Sequence, residues 1–222
     1  GGTWSYIDST VRSNGTFTYS ARVIDTAGNV TAAPATKLIT IDTTAPNATV
    51  SITAIAEDTG TPNDFVTRDT VLTVSGNVGA AFDANTERVQ VSSNGTDWFD
   101  ATVTGSTWSY ADPATHASNF TYEVRVVDLA GNVGNATRQE ITIDTTAPSQ
   151  SIAITGITQD TGTSSDFITS DTQLTVSGTV GTLASGEKVQ VSSNGTTWVD
   201  ATVSGGTWSY IDSTVRSNGT FT

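Results

Sequence analysis

The chain contains no cysteine and no methionine, a single histidine, two lysines and five leucines in 222 residues. Without cysteine there is neither a disulfide framework nor a thiolate metal site. That suits an extracellular protein that dispenses with oxidative folding. The one imidazole, His116, sits in a polar loop and makes a poor partner for a nucleophile, so no enzymatic triad is expected. Neither a signal peptide nor an apolar run of transmembrane length is present, and any export signal or anchor is expected outside this segment. Scarce Leu, Lys and Glu leave few of the long-chain helix formers.

What remains is rich in Thr, Ser, Val, Asp, Gly and Asn, the residues of strands and turns. The net charge is −13, and 17 of the 22 acidic residues are Asp, which favours loops and caps over helix interiors. Such a balance argues against nucleic acid and anionic membrane surfaces as partners.

The chain repeats itself at a spacing of about 102 residues. "IDTTAPNATVSITAIAEDTGTPNDFVTRDTVLTVSGNVG" (41–79) returns as "IDTTAPSQSIAITGITQDTGTSSDFITSDTQLTVSGTVG" (143–181), and "YSARVIDTAGNV" (19–30) returns as "YEVRVVDLAGNV" (122–133). The first eighteen residues, "GGTWSYIDSTVRSNGTFT", are identical to residues 205–222, at twice the unit length. This pattern predicts an alternating A-B-A-B array, of which the chain is expected to be a segment. Residues 1–44 finish an A unit, 45–146 form a whole B unit, and 147–222 begin the next A unit.

Within the B unit, seven strands are predicted near 49–54, 70–75, 87–92, 97–103, 106–110, 119–127 and 136–143. Val89 and Val91, and Tyr122, Val124 and Val126, alternate with polar residues and are expected to face inward. Asn94-Gly95 and Asn194-Gly195 predict tight type I′ hairpins. About 100 residues with seven short strands and Gly-rich turns predict an all-β fold of tandem immunoglobulin-like sandwiches stacked end to end. Trp4, Trp98, Trp108, Trp198 and Trp208 are expected between the sheets. Asn14, Asn47, Asn94, Asn119 and Asn194 lie in glycosylation sequons, which arise by chance in a Thr-rich chain.

Seven alternating strands place the two chain ends of a unit at opposite poles. The downstream pole gathers Asp58, Asp64, Asp69, Asp112 and Asp144; the upstream pole gathers Asp42, Asp83 and the Asp128–Asn132 turn. Only "DTTAP" separates one pole from the next, so carboxylates from both sides are expected to meet there and repel. A hard cation with six to eight oxygen ligands removes that repulsion, and Ca²⁺ tolerates such irregular loops. Pro46 and Pro148 stiffen the links. The spacing in "DTGTPNDFVTRD" is not that of an EF-hand.

With "GTWSY", "RVVDLAGNV", "ITIDTTAP" and the Asp-rich loop, the sequence resembles the bacterial Ig-like tandem repeats of giant secreted RTX-type and biofilm-associated adhesins. The resemblance implies calcium-rigidified extenders that hold a distal binding domain away from the bacterial surface. It implies metal ligands at Asp42, Asp128 and Asp144 around the linkers, with Asp25 matching Asp128. It also implies loop ligands at Asp58, Asp64 and Asp69, and at their partners Asp160, Asp166 and Asp171.

The expected function is thus a non-enzymatic, extracellular extender whose partners are its neighbouring repeats and Ca²⁺. Two other readings stay open: a glycan- or protein-binding module acting through loops such as "FDANTE", and an accessory sandwich of a polysaccharide-degrading enzyme. Strand exchange between fragments is a further expectation, because residues 1–41 carry strands that 148–222 lack.

Overall fold

A computed structural model describes residues 2–222, which are all β and turn, with no helix among them. Strands β1 (Gly15–Ala21) and β2 (Ala35–Ile41) form an antiparallel pair. The complete repeat follows with β3 (Val50–Ile55), β4 (Val66–Thr67), β5 (Thr73–Val78), β6 (Glu87–Ser92) and β7 (Phe99–Asp100). It continues through β8 (Thr102–Thr104), β9 (Thr107–Ala111), β10 (Phe120–Asp128) and β11 (Thr137–Ile143). These elements belong to one unit ending at Thr145. The second unit, Thr146–Thr222, holds β12 (Ile152–Thr158), β13 (Thr175–Val180), β14 (Gln190–Val191), β15 (Val199–Asp200), β16 (Thr202–Ser204) and β17 (Thr207–Ile211).

In the complete repeat a four-stranded sheet, β3-β5-β9-β8, packs on a five-stranded sheet, β4-β11-β10-β6-β7. Val74 and Trp108 come from the first sheet; Val89, Val91, Tyr122, Val124, Val126 and Ile141 come from the second, and all are buried between them. The alternation predicted for β6 and β10 therefore sets the inner face, because successive strand residues point to opposite sides. The fold is the immunoglobulin-like sandwich expected from the sequence.

Two strand predictions change in detail. The stretch 97–103 is two strands: β7 pairs with β6 and β8 pairs with β9, so the chain changes sheets at Ala101, whose N–H donates to the Val89 carbonyl. The strand predicted from Thr70 starts at Thr73, because Asp69 Oδ1 accepts from the Val71 N–H and the Thr70 carbonyl accepts from His116 N–H. The short β4 runs parallel to β11, with Thr142 opposite Val66 and Ile143 opposite Thr67.

Trp108 explains a glycine. Its indole N–H donates to the Ser51 carbonyl at 3.1 Å, and its ring lies over Gly76, where a Cβ would stand 1.8 Å from that carbonyl oxygen and 2.9 Å from the ring. Trp208 crowds Gly178 in the same way in the second unit, its ring 2.7 Å from where a Cβ would stand, but its indole N–H donates to the Thr179 carbonyl. A register shift between Ile52 and Ala54 also recurs, between Ile154 and Gly156, which marks the bulge as a built feature of the first strand.

Only Trp108 and Trp208 are buried as predicted. Trp98 lies on the outer face with the Arg125 guanidinium 3.7 Å from its ring, while Trp198 and Trp4 are exposed. The Asn-Gly hairpins are not type I′ turns, since Gly95 and Gly195 have positive φ but Asn94 and Asn194 do not. Instead Asn94 Oδ1 accepts from the Thr96 and Asp97 N–H groups and closes a wider loop, as Asn194 does for Thr196 and Thr197.

Candidate functional site

The loop between β3 and β5 is built by short polar side chains. Asp58 Oδ2 accepts from the Asn63 N–H at 2.7 Å, Asp64 Oδ1 from Val66 N–H at 2.9 Å, and Asp69 Oδ1 from Val71 N–H at 3.1 Å. Thr67, itself buried, donates its hydroxyl to the Glu57 carbonyl at 2.6 Å and accepts from the Asp69 N–H. The second unit repeats this loop: Asp160 Oδ2 accepts from Ser165 N–H, Asp166 Oδ1 from Ile168 N–H, and Asp171 Oδ1 from Gln173 N–H. The Gln173 and Gln159 N–H groups hold the Asp171 carboxyl below the usual carboxylate range. In both loops a phenylalanine, Phe65 and Phe167, takes a positive φ of 60°, a conformation that persists only where surrounding contacts over-determine it.

One oxygen in each loop stands out. Asp58 Oδ1 and Asp160 Oδ1 are buried and have no hydrogen-bond partner. A buried carboxylate oxygen without a donor is costly, and its recurrence at equivalent positions fits a cation-binding role. Asp144 is drawn to the same pole: its N–H donates to the Thr67 carbonyl at 2.9 Å, and it lines a shallow cleft with Thr59, Gly60, Val66, Thr67 and Arg68.

At the opposite pole, the Asp128 carboxylate is engaged by one turn. Oδ1 accepts from the Asn132 N–H and Oδ2 from the Asn132 side chain, both at 2.8 Å, and Asn132 holds the Asp128 carboxyl below its ordinary range. Asp25 and Asn29 reproduce the turn near the chain start. The same Asn132 amide also donates to the Asp42 carbonyl at 3.1 Å, while Asp42 Oδ1 accepts from Thr44 N–H. Gly134 completes the seam, since a Cβ there would lie 2.8 Å from the Pro46 carbonyl oxygen. The linker is thus docked on the turn that carries Asp128.

The structure therefore brings Asp42 beside the Asp128 turn, and Asp144 beside the loop of Asp58, Asp64 and Asp69. Among the described residues, however, no three acidic or histidine side chains converge as a metal-binding group. A cation at either pole would have to draw on backbone carbonyls and water as well as carboxylate, which is ordinary for Ca²⁺. The sequence singles out the Asp128–Asn132 turn for its Asp and passes over the role of Asn132, although the turn recurs as Asp25–Asn29; Gly134 carries no such signal, since Thr31 stands at its equivalent.

The sequence also passes over the interior role of Asp112. This buried carboxylate accepts from the Ala114 N–H at 2.9 Å and from the Tyr122 hydroxyl at 3.0 Å, with His116 Nε2 2.9 Å from the same oxygen, Oδ2. Burial opposes its charge, yet these contacts hold the carboxyl below the usual range. Burial, with the Asp112 charge beside it, pushes the Tyr122 phenol up. His116 stacks on Phe120 with ring centres 3.6 Å apart. In the A units arginine takes that place: Arg12 pairs with Asp8 and covers Phe17, and Arg216 pairs with Asp212 and covers Phe221. The lone histidine is a structural counterpart of those arginines. Asn14 and Asn119 are likewise structural, their Oδ1 atoms accepting from Thr43 N–H and Ile143 N–H.

Comparison with known proteins agrees with this architecture. Residues 44–145 match a family described as a bacterial Ig-like domain, and residues 8–43 match a second family of the same description. A search of curated proteins found no match. Among solved structures, the chain is similar at 25% identity to one reported for host cell surface retention of a 1.5-MDa bacterial ice-binding adhesin, with a TM-score of 0.37. It is similar at 20% identity to a tetra-tandem repeat in the extending region of a large adhesion protein, with a TM-score of 0.27. Each alignment covers 91% of this chain, which spans 64% and 49% of the respective structures. Residues 8–145 thus match bacterial Ig-like domain families.

Proposed function

We propose that the chain is an extending segment of a large extracellular bacterial adhesin, holding a distal binding domain away from the cell surface and stiffened by Ca²⁺ at its poles. The observation that carries this reading is the path of the chain through the complete repeat. Thr137 Oγ1, at the start of β11, donates to the Val50 carbonyl at the start of β3, at 2.7 Å. The chain thus enters beside the beginning of β11 and leaves at its far end, seven residues on, or roughly 20 Å at strand rise. A repeat threaded this way adds length with each copy.

Asp58, Asp64, Asp69 and Asp144 would hold a cation at the downstream pole, with Asp160, Asp166 and Asp171 as counterparts in the second unit. At the upstream seam Asp42 and Asp128 are the candidates, and Asp25 takes the Asp128 position near the chain start. Calcium would supply positive charge to oxygens that lack a donor, foremost Asp58 Oδ1 and Asp160 Oδ1. The net charge of −13 supports the same reading, since a divalent cation relieves the self-repulsion that nine basic side chains leave among 22 acidic ones.

Small-angle scattering and thermal melts, in millimolar calcium and then in chelator, test the proposal. Binding to the folded state alone, at a hundredfold above Kd, stabilises by about 2.7 kcal/mol per site. A rise in Tm with a longer maximum dimension in calcium is expected. If neither quantity moves, the acidic loops are ordinary turns and the stiffening role fails.

A further inference from the structure

Asp112 is followed by Pro113, the one Asp–Pro bond in the chain; the other prolines follow alanine or threonine. An aspartyl carboxylate can close on its own main-chain carbonyl carbon, forming a five-membered ring. A prolyl nitrogen favours that reaction, because as a tertiary amide nitrogen it takes up a proton, and so departs, more readily than a secondary one. Acid therefore finds its weakest backbone bond here.

The fold treats the two sides of this bond differently. Pro113 is exposed in the loop between β9 and β10, so solvent reaches the leaving group. Asp112 is only 5% exposed, and its carboxylate is clasped. Oδ1 accepts from the Ala114 N–H, Oδ2 accepts from the Tyr122 hydroxyl with His116 Nε2 beside it, and the Asp112 N–H donates to the Leu72 carbonyl at 2.9 Å. An oxygen that attacks must first give up these donors. The ionisable groups bearing on this carboxylate are His116 in the same loop, Tyr122 on β10 and Tyr110 on β9. Protonating Asp112 removes the charge that strengthens the bonds to Oδ2, so acid loosens the clasp as well.

The A units keep the clasp without the weak bond. Asp8 Oδ1 accepts from the Thr10 N–H and Asp212 Oδ1 from the Thr214 N–H, as Asp112 Oδ1 does from Ala114, yet serine follows in both places. The proline is peculiar to the B unit.

We propose that the complete repeat carries an acid-triggered self-cleavage site at Asp112–Pro113, held shut by the fold and released when the loop between β9 and β10 opens. In the open chain an Asp112 carboxylate oxygen attacks the Asp112 main-chain carbonyl carbon. The bond to the Pro113 nitrogen breaks, its electron pair stays on that nitrogen, and the nitrogen takes a proton from solvent. Water then opens the cyclic anhydride and leaves Asp112 with two carboxyl groups, so the net reaction is hydrolysis of one peptide bond. The cut parts β3–β9 from β10 and β11, which supply Tyr122, Val124, Val126 and Ile141 to the core. A cut repeat refolds only by bringing two chains back together, and in an extending array one such event releases everything downstream.

The test uses the full 222-residue chain at about pH 4, with tryptophan fluorescence reporting the fold and intact-mass spectrometry the cut. With urea at that pH, two fragments should accumulate, one ending at Asp112 and the other beginning at Pro113. Without urea the cut should be about a hundredfold slower, because it follows the population of the open form. Tyr122→Phe, which weakens the clasp, should be cut about tenfold faster than the parent chain without urea, since about 1.4 kcal/mol of lost stability raises the open population tenfold. Pro113→Ser, which installs the A-unit residue, should stay whole even in urea. Equal rates with and without urea, or a Tyr122→Phe rate no higher than the parent's, overturn the guarding role of the fold. A chain that survives urea intact, or a cut that persists in Pro113→Ser, overturns the site itself.

Discussion

The Tyr122 hydroxyl donates to Asp112 Oδ2 at 3.0 Å between the sheets, and His116 Nε2 lies 2.9 Å from the same oxygen. A hydrogen bond to a charged acceptor is worth about 1.5–3 kcal/mol when its partner is removed. Tyr122→Phe should therefore lower the unfolding free energy of the complete repeat toward the small end of that range, because His116 remains. Urea titration followed by tryptophan fluorescence measures it, and an unchanged midpoint would refute the assigned role.

His116→Arg should be tolerated. Arg12 and Arg216 occupy the equivalent place, 4.1 and 4.4 Å above their phenylalanine ring centres. An unchanged or raised Tm is expected, and a marked fall would mean that the histidine does something the arginines cannot.

Acid should destabilise the protein. Burial opposes ionisation of Asp212, but Arg216 outweighs it; Asp112, Asp128 and Asp25 are held low by the contacts described above. A carboxyl whose folded pKa lies below its unfolded value stabilises the fold fully above the unfolded pKa of about 3.9. That stabilisation disappears as pH falls through the folded values. Melting temperature should be level from neutrality to about pH 5 and decline below about pH 4. A level profile down to pH 2 would contradict this.

Gly76→Ala should cost at least the 1–3 kcal/mol typical of overpacking. The added methyl would stand 1.8 Å from the Ser51 carbonyl oxygen, which cannot move without losing the Trp108 hydrogen bond. Gly178→Ala should do the same in the second unit. Far smaller losses, measured by calorimetry, would show that the bulge in the first strand yields.

Asp58→Asn addresses the metal proposal. It should reduce the calcium-dependent gain in Tm, while Asp97→Asn, in a hairpin loop where Asp97 accepts from the Asn94 side chain, should leave that gain intact. Equal loss in both variants would point to general charge screening.

Most of the sandwich was legible because period-two alternation in β6 and β10 and the internal repeat point the same way. What sequence could not give were features set by single contacts across long separations. The two-residue β4 has too little sequence to show a period, and it forms because Phe65 and Thr67 carbonyls receive the Thr142 and Asp144 N–H groups. The sequence presents the tryptophans as one class, yet those that find room inside are the two facing a glycine in β5 or β13. At the poles the aspartates were legible as positions, while the asparagine that ties Asp128 to the Asp42 carbonyl depends on a contact ninety residues apart.

The parallel pairing of β4 with β11 bears on behaviour under load. If the repeat is pulled from its two ends, tension runs along β11, and the bonds from Thr142 N–H to Phe65 O and from Asp144 N–H to Thr67 O lie across that direction. Bonds so placed are sheared together and cannot be unzipped one at a time. A strand pair only two residues long is therefore the mechanical clamp of the repeat, set at the pole where the aspartates cluster.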